Sequence, residues 1–357
     1  MKTIKSTLLF AIALVIFSCT DDKKEDVATP EEAKASMDKV ADEMEADLVQ
    51  MVNTQGVDAL TQLLDLVSES DPFSGRINTD KNSKKIIAQR IKKLNTIFIP
   101  ASAGIREEDD RFIFENEVGV YDYNFDQQKF IQTEQGGDKV QLNFPTAEST
   151  TNNATLNLTA YADVAVEDSY AGWVSYEPAT INADLSVDGE TLVILDFNAA
   201  YNEDGMPSSA EISLTLTPFE FSVSFSDDAA TSSSVAYSMR NSGDKIMGAT
   251  IDVSFASPDK EIVQIINGEL YYRDISLKGK LDISKIDGES ESFDINDFVD
   301  LAIYDGGTKI GDIVFEETDW ETVAYVKYSD GSKELLEELL APVISELEDF
   351  ILELEGE

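Results

Sequence analysis

Enzymatic chemistry needs side chains that hold a metal, shuttle a proton or attack a carbon, and this chain has few such sets. Its 357 residues contain no histidine and one cysteine, Cys19. Without histidine, Ser-His-Asp and Cys-His catalysis fall away, together with most zinc and haem sites. No phosphate-binding loop and no dinucleotide fingerprint occurs. Carboxylates remain, and two of them about 5 to 10 Å apart can hydrolyse a glycoside. With 70 Asp and Glu in the chain, some pair always falls close together, so their number alone does not single out such a site. Calcium is the one metal to weigh. Asp184-Leu185-Ser186-Val187-Asp188-Gly189 matches the start of a helix–loop–helix calcium loop, but the twelfth position is Leu195 rather than Glu and strand-like segments flank it. It reads as a hairpin turn. Asp294, Asn296, Asp297 and Asp300 form a second acidic group without ligand spacing. No catalytic residue, metal ligand or cofactor is assigned.

Binding residues are sought among aromatic and basic side chains. Tyr121, Tyr123 and Phe125 share one side of a strand, and Phe130 returns on the next. Sugars stack on such stripes, but half-buried strands favour aromatics for packing alone, and packing is the preferred reading. Trp173 and Tyr176 lie in the loop-like Gly172-Trp173-Val174-Ser175-Tyr176-Glu177-Pro178. They are the ligand-binding candidates, because loops carry function. Lys81, Lys84, Lys85, Arg90, Lys92 and Lys93 make a basic cluster in Asp80–Phe98. It could hold an anion, but a solvated face, or one that neutralises the chain's own acids, is the preferred reading.

Cys19 points elsewhere. Lys2 and Lys5 precede an apolar run, Leu8–Phe17, that is short of the roughly 20 residues a spanning helix needs and has the flanks of a signal-peptide core. Ser18 and Cys19 follow at once. Ile16-Phe17-Ser18-Cys19 resembles the lipobox of bacterial lipoproteins, and Thr20-Asp21-Asp22 with Lys23-Lys24-Glu25-Asp26 resembles the surface-export signal of Bacteroidetes lipoproteins. The resemblance covers about residues 1–26 and no family is recognised for the rest. It implies a signal peptide over 1–18, acyl chains such as palmitate on Cys19, and a lipid-anchored protein of the outer membrane or cell surface of a Gram-negative bacterium. An acylated Cys19 leaves no thiol for a disulfide, for thiol catalysis or for an iron–sulfur cluster.

Charge narrows the partners. The 27 Lys and Arg stand against 70 Asp and Glu, a net charge of −43 at pH 7, and removal of the signal takes away Lys2 and Lys5 but no acid. Such a surface repels nucleic acid, whose binding relies on cationic side chains. It also repels anionic lipid headgroups, so the membrane is held through the acyl chains on Cys19. The acids are scattered, which suits solubility better than a focused site.

The elements that must position these residues follow from periodicity. Residues 19–30 read as a lipidated Cys and a flexible tether. Glu31–Val52 is helical, with Met37, Val40, Ala41, Met44, Leu48, Met51 and Val52 on one face; Gly56 is expected to break it. A second helix carries Val57, Leu60, Leu64 and Val67, and a third covers Asp80–Phe98. From about 111 to 328 the period is two. Successive strands are separated by Asp188-Gly189, Asp204-Gly205, Asn267-Gly268 and Asp305-Gly306 as hairpin signals, with a bulge or bend at Pro218. A helix over 332–355 closes the chain, with Pro342 as a kink.

The expected fold is α+β: one domain over 31–357 (31–98 helical, 111–328 β-rich). It has a large, mainly antiparallel, curled sheet whose apolar face is covered by N-terminal helices and the C-terminal amphipathic helix. Three functions are compatible with it. The first is a non-catalytic binding or structural module on a lipid anchor. The second is a carrier of a hydrophobic ligand between sheet and helix, by architectural analogy. The third, ranked last, is a carboxylate-dependent glycoside hydrolase.

Overall fold

The computed structural model describes residues 28–67, 112–167, 174–202, 205–227, 229–285, 294–317 and 322–355. The expected signal peptide over 1–18, Cys19, the basic stretch 80–98 and Trp173 lie outside them. Three helices come first: α1 (Pro30–Val52), α2 (Gln55–Val67) and the single turn α3 (Phe114–Glu117). Sixteen strands follow among the described residues. The first eight are β1 (Gly119–Asn124), β2 (Lys129–Gln135), β3 (Val140–Phe144), β4 (Ala154–Glu167), β5 (Val174–Val187), β6 (Glu190–Tyr201), β7 (Pro207–Leu216) and β8 (Phe219–Ser226). The rest are β9 (Ser232–Asn241), β10 (Asp244–Phe255), β11 (Val263–Tyr272), β12 (Ile275–Asp282), β13 (Val299–Asp305), β14 (Thr308–Glu317), β15 (Thr322–Lys327) and β16 (Lys333–Leu335). Helix α4 (Leu336–Glu355) ends the chain.

The sheet is large and mainly antiparallel, as the hairpin signals imply. Neighbours run in reverse chain order from β16 to β3, then β1 and β2. The β1–β3 pair is parallel. The expected curl is corrected to an open order: it runs linearly from β16 at one edge to β2 at the other, and no described pairing joins the two. At Asp188-Gly189 both residues have positive φ, 52° and 86°, the type I′ geometry that matches strand twist. This confirms a hairpin where the calcium loop was considered. Asn267-Gly268 is not a turn. It lies inside β11, with Gly268 opposite Ile251 and Gly279. The parity change at Pro218 is no bulge either; residues 217 and 218 form the turn between β7 and β8, with a cis Thr217–Pro218 bond.

The helices begin where their caps dictate. Thr29 and Glu32 form a reciprocal capping box: the Thr29 backbone N–H donates to Glu32 Oε2 at 2.8 Å and the Glu32 N–H to Thr29 Oγ1 at 3.3 Å, with Pro30 at the first helical position. The break between α1 and α2 falls at Asn53–Thr54 and not at Gly56. The Val57 and Asp58 N–H groups reach the Thr54 hydroxyl and carbonyl, so Thr54 starts α2 as its cap. The expected start of the last helix at Ser332 moves to Leu336, because Lys333–Leu335 pair with β15 as β16. The helix continues through Pro342.

The described residues fall into two compact units, and each has its own core. In the first, made of α1 up to Met44, residues 223–240 and residues 244–347, the core joins Ala33 and Met37 of α1 to Leu301, Ile303, Ile310, Ile313, Phe315 and Val326 of the sheet and to Leu336 and Leu339 of α4. Polar clamps frame it. Lys34 Nζ pairs with Glu334 Oε1 at 2.7 Å, and Tyr328 Oη donates to Glu334 Oε2 at 3.0 Å. Burial, then that carboxylate, pushes the Tyr328 phenol far up.

In the second unit, residues 45–222 with 241–243 and the end of α4, α2 buries Val57, Leu60, Leu63 and Leu66, a face turned slightly from the expected Val57, Leu60, Leu64 and Val67. It lies over the turn ends of β5 and β6, where Leu185, Val187, Leu192 and Val193 are buried. Farther along these strands Ala183, Leu195 and Phe197, and on the neighbouring β4 Leu156 and Leu158, are only half-buried. The expected fully buried face is therefore found at one end. The opposite face carries a polar ladder. Asn143 donates to Asp122 at 2.7 Å, Asn157 to Asp184 at 2.9 Å and Asn182 to Asp196 at 2.5 Å, each across neighbouring strands.

Gly56 owes its identity to the helix–sheet contact. A Cβ there would lie 3.0 Å from Val193 Cγ2 and 3.4 Å from the Leu192 carbonyl oxygen. Gly56→Leu is expected to force α2 off the sheet and cost about 1–3 kcal/mol, the usual range for overpacking; equilibrium urea unfolding of the variant against wild type measures it.

Candidate functional site

The sequence-derived candidates do not assemble into one site among the described residues. Tyr176 is not on a loop: β5 begins at Val174, and Tyr176 sits half-buried opposite Ala165 of β4. Its segment is strand because β4 and β5 pair along almost their whole length, to Glu167 opposite Val174. Nearby, Tyr201 Oη donates to the Pro178 carbonyl at 2.9 Å. Burial raises the Tyr201 phenol, and the Glu177 carboxylate and the Tyr161 phenol add to it.

In the Tyr121–Phe130 stripe Tyr123, Phe125 and Phe130 pack together, with Phe125 still exposed. Tyr123 is 4% exposed and meets Phe125 and Phe130 edge to face, with ring centroids 5.5 and 5.6 Å apart. Edge-to-face rings are the geometry of a core and leave Tyr123 no open face for a sugar. Its hydroxyl is buried without a hydrogen-bond partner among the described residues, and burial raises its phenol.

The acidic candidates have structural work. Asp294 Oδ1 accepts from the backbone N–H and the side-chain amide of Asn296, at 2.9 and 2.8 Å. Asn296 in turn bonds both the carbonyl and the N–H of Phe315 at 2.8 Å. The pair pins the short turn before β13 to β14. Asp282 is buried; bonds from Ser284 and then Lys280 hold its carboxyl below the usual range, against the opposing effect of burial. Among the described residues no group of three or more acidic side chains is placed to hold a metal ion, and no helix is long and apolar enough to cross a membrane.

A different set of residues is brought together in the first unit. Gly248, Tyr271, Ser276 and Tyr304 face one another in a single cross-strand row over β10 to β13, so their side chains share one side of the sheet. Large and small residues alternate along it. A Cβ on Gly248 would lie 2.5 Å from Tyr271 Oη and 2.6 Å from its Cζ, so the hydroxyl end of the Tyr271 ring rests on the glycine. Lys245 Nζ stands 5.2 Å from the centre of that ring, and Lys278 Nζ stands 5.7 Å from the centre of the Tyr304 ring. Lys278 also pairs with Glu269 at 2.8 Å. Burial raises the Tyr271 phenol, Arg240 pulls it down and Glu269 pushes it up. Both tyrosines are half-buried, and Gly248 and Ser276, which alternate with them, are buried.

No protein-family model, curated protein or solved structure matches this chain.

The row depends on its small residues. Gly248→Ala is expected to push Tyr271 off the sheet and strain the backbone near Tyr237, whose carbonyl also crowds that position. The expected loss is about 1–3 kcal/mol of stability, with a changed tyrosine signal in near-ultraviolet circular dichroism; an unaltered signal would show that the ring does not rest on Gly248.

Proposed function

We propose that this protein is a lipid-anchored, non-catalytic binding module of the outer membrane or cell surface. The observation that carries this is the place of the chain's only cysteine, directly after the Leu8–Phe17 run in Ile16-Phe17-Ser18-Cys19. The absence of histidine from the chain supports a role other than proton-transfer catalysis. An anchored module acts by presenting a surface, and a sixteen-stranded sheet supplies extended ones. The membrane is its first partner, through acyl chains on Cys19, since a surface this acidic is repelled by anionic headgroups.

Cys19→Ala is expected to abolish acyl labelling and to move the protein from the membrane to the soluble fraction, or to leave unprocessed precursor; metabolic labelling with a fatty-acid analogue and cell fractionation read both. A mature-length variant that stays on the membrane without label defeats the anchor.

A second reading, a carrier of a hydrophobic ligand, draws on the half-buried apolar row formed by Leu156, Leu158, Ala183, Leu195 and Phe197. It expects lipid bound in addition to the Cys19 acyl chains, visible by native mass spectrometry of the gently purified protein. Protein carrying only its own acyl chains removes it.

A further inference from the structure

We propose that the anchor holds the first unit end-on to the bilayer, with its β11–β12 and β13–β14 turns toward the lipid and its β10–β11 loop presented away from it. This inference rests on the lipid-anchor reading and adds the surface that meets the membrane. The first support is where the chain enters the folded body. The Ala28 backbone N–H donates to the Lys309 carbonyl at 3.0 Å, and Ala28 packs against the core of the unit. Within the first two turns of α1, Ser36 Oγ donates to Asp305 Oδ2 at 2.5 Å and Lys34 pairs with Glu334 at 2.7 Å. The entry point is therefore fixed beside the β13–β14 turn. Gly306 of that turn donates its N–H to the Asp274 carbonyl at 2.9 Å, which sets the β11–β12 turn next to it.

The second support is reach. From Cys19 to Ala28 is nine residue steps, which span at most about 32 Å when fully extended. The turn end cannot lie farther than that from the anchor. The opposite strand ends can: β10 runs for twelve residues, Asp244–Phe255, roughly 40 Å at the usual rise.

The third support is charge. The chain carries a net charge of −43, and anionic headgroups repel it. That repulsion acts within a Debye length, about 8 Å at physiological salt. A unit lying flat brings the whole length of its strands into that layer, whereas a unit standing on its attached end brings only its turns. Repulsion on a body held at one end turns the free end outward. The end so presented carries the β10–β11 loop, where Ile262 is 62% exposed, and an approaching partner meets it first.

The test uses the mature acylated protein in vesicles of phosphatidylethanolamine and phosphatidylglycerol, with an acceptor dye on a fraction of the headgroups. With Cys19 acylated, an introduced cysteine is the sole free thiol. Asp274→Cys at the turn end and Glu261→Cys in the β10–β11 loop, both at exposed positions, each take one donor dye. Energy transfer to the headgroups is expected to be stronger from Asp274→Cys by about twofold or more, because the two sites lie a strand's length apart. Melting curves confirm that both variants are folded. Equal transfer from the two sites, or stronger transfer from Glu261→Cys, in a protein that needs Cys19 for membrane retention overturns the orientation and leaves the anchor in place. Retention of Cys19→Ala protein on the membrane at mature length without acyl label removes the anchor, and the orientation with it.

Discussion

Every strand amide must find a carbonyl, and in this protein it finds one chiefly in the strand next in sequence. From β3 to β16 the order in the sheet follows the order in the chain. That constraint shapes the rest. Neighbouring strands joined by short turns come together with little loss of loop entropy, and their hydrogen bonds do not require a deep core on either side. Turns with positive φ at both centres, as at Asp188-Gly189 and Ser242-Gly243 (53° and 89°), set the register, and the register fixes which side chains stand together.

Apolar burial then appears only where a helix supplies it. The capped start of α1 and the first turns of α4 close over the sheet around Ile310, Ile313 and Val326 in the first unit. In the second, α2 closes over Leu185 and Val193. Where no described helix lies, the sheet's polar face is tied by Asn–Asp pairs such as Asn157–Asp184. These bonds are charge-assisted and half-buried, so they are worth more than fully exposed ones. Their carboxylates, Asp122, Asp184 and Asp196, are thus part of the sheet's own bonding.

An array of strands in register presents side chains at a fixed pitch, and a ligand with a commensurate repeat can be read by it. Alternating Gly248, Tyr271, Ser276 and Tyr304 stand at such a pitch.

The sequence by itself determined the local matters. Thr29-Pro30-Glu31-Glu32 announces a helix start because a capping box needs only residues three apart. The alternation from Ala154 to Val164 gives a strand because side-chain period is a property of the backbone. Asp188-Gly189 gives a hairpin because those residues tolerate positive φ. The resemblance of Ile16-Phe17-Ser18-Cys19 to a lipobox is likewise linear, legible without any fold. Asn267-Gly268 misled for the same reason: the dipeptide permits a turn but does not compel one, and pairing with β10 and β12 kept it extended. Tertiary structure alone decided the rest. Whether Gly56 breaks a helix or lets one touch Val193 depends on what lies opposite. Whether Tyr123 is platform or core depends on Phe125 and Phe130. The Tyr271–Tyr304 row was not legible because its members come from separate strands, and only the register between strands, which no single segment encodes, brings Gly248 beneath the Tyr271 ring.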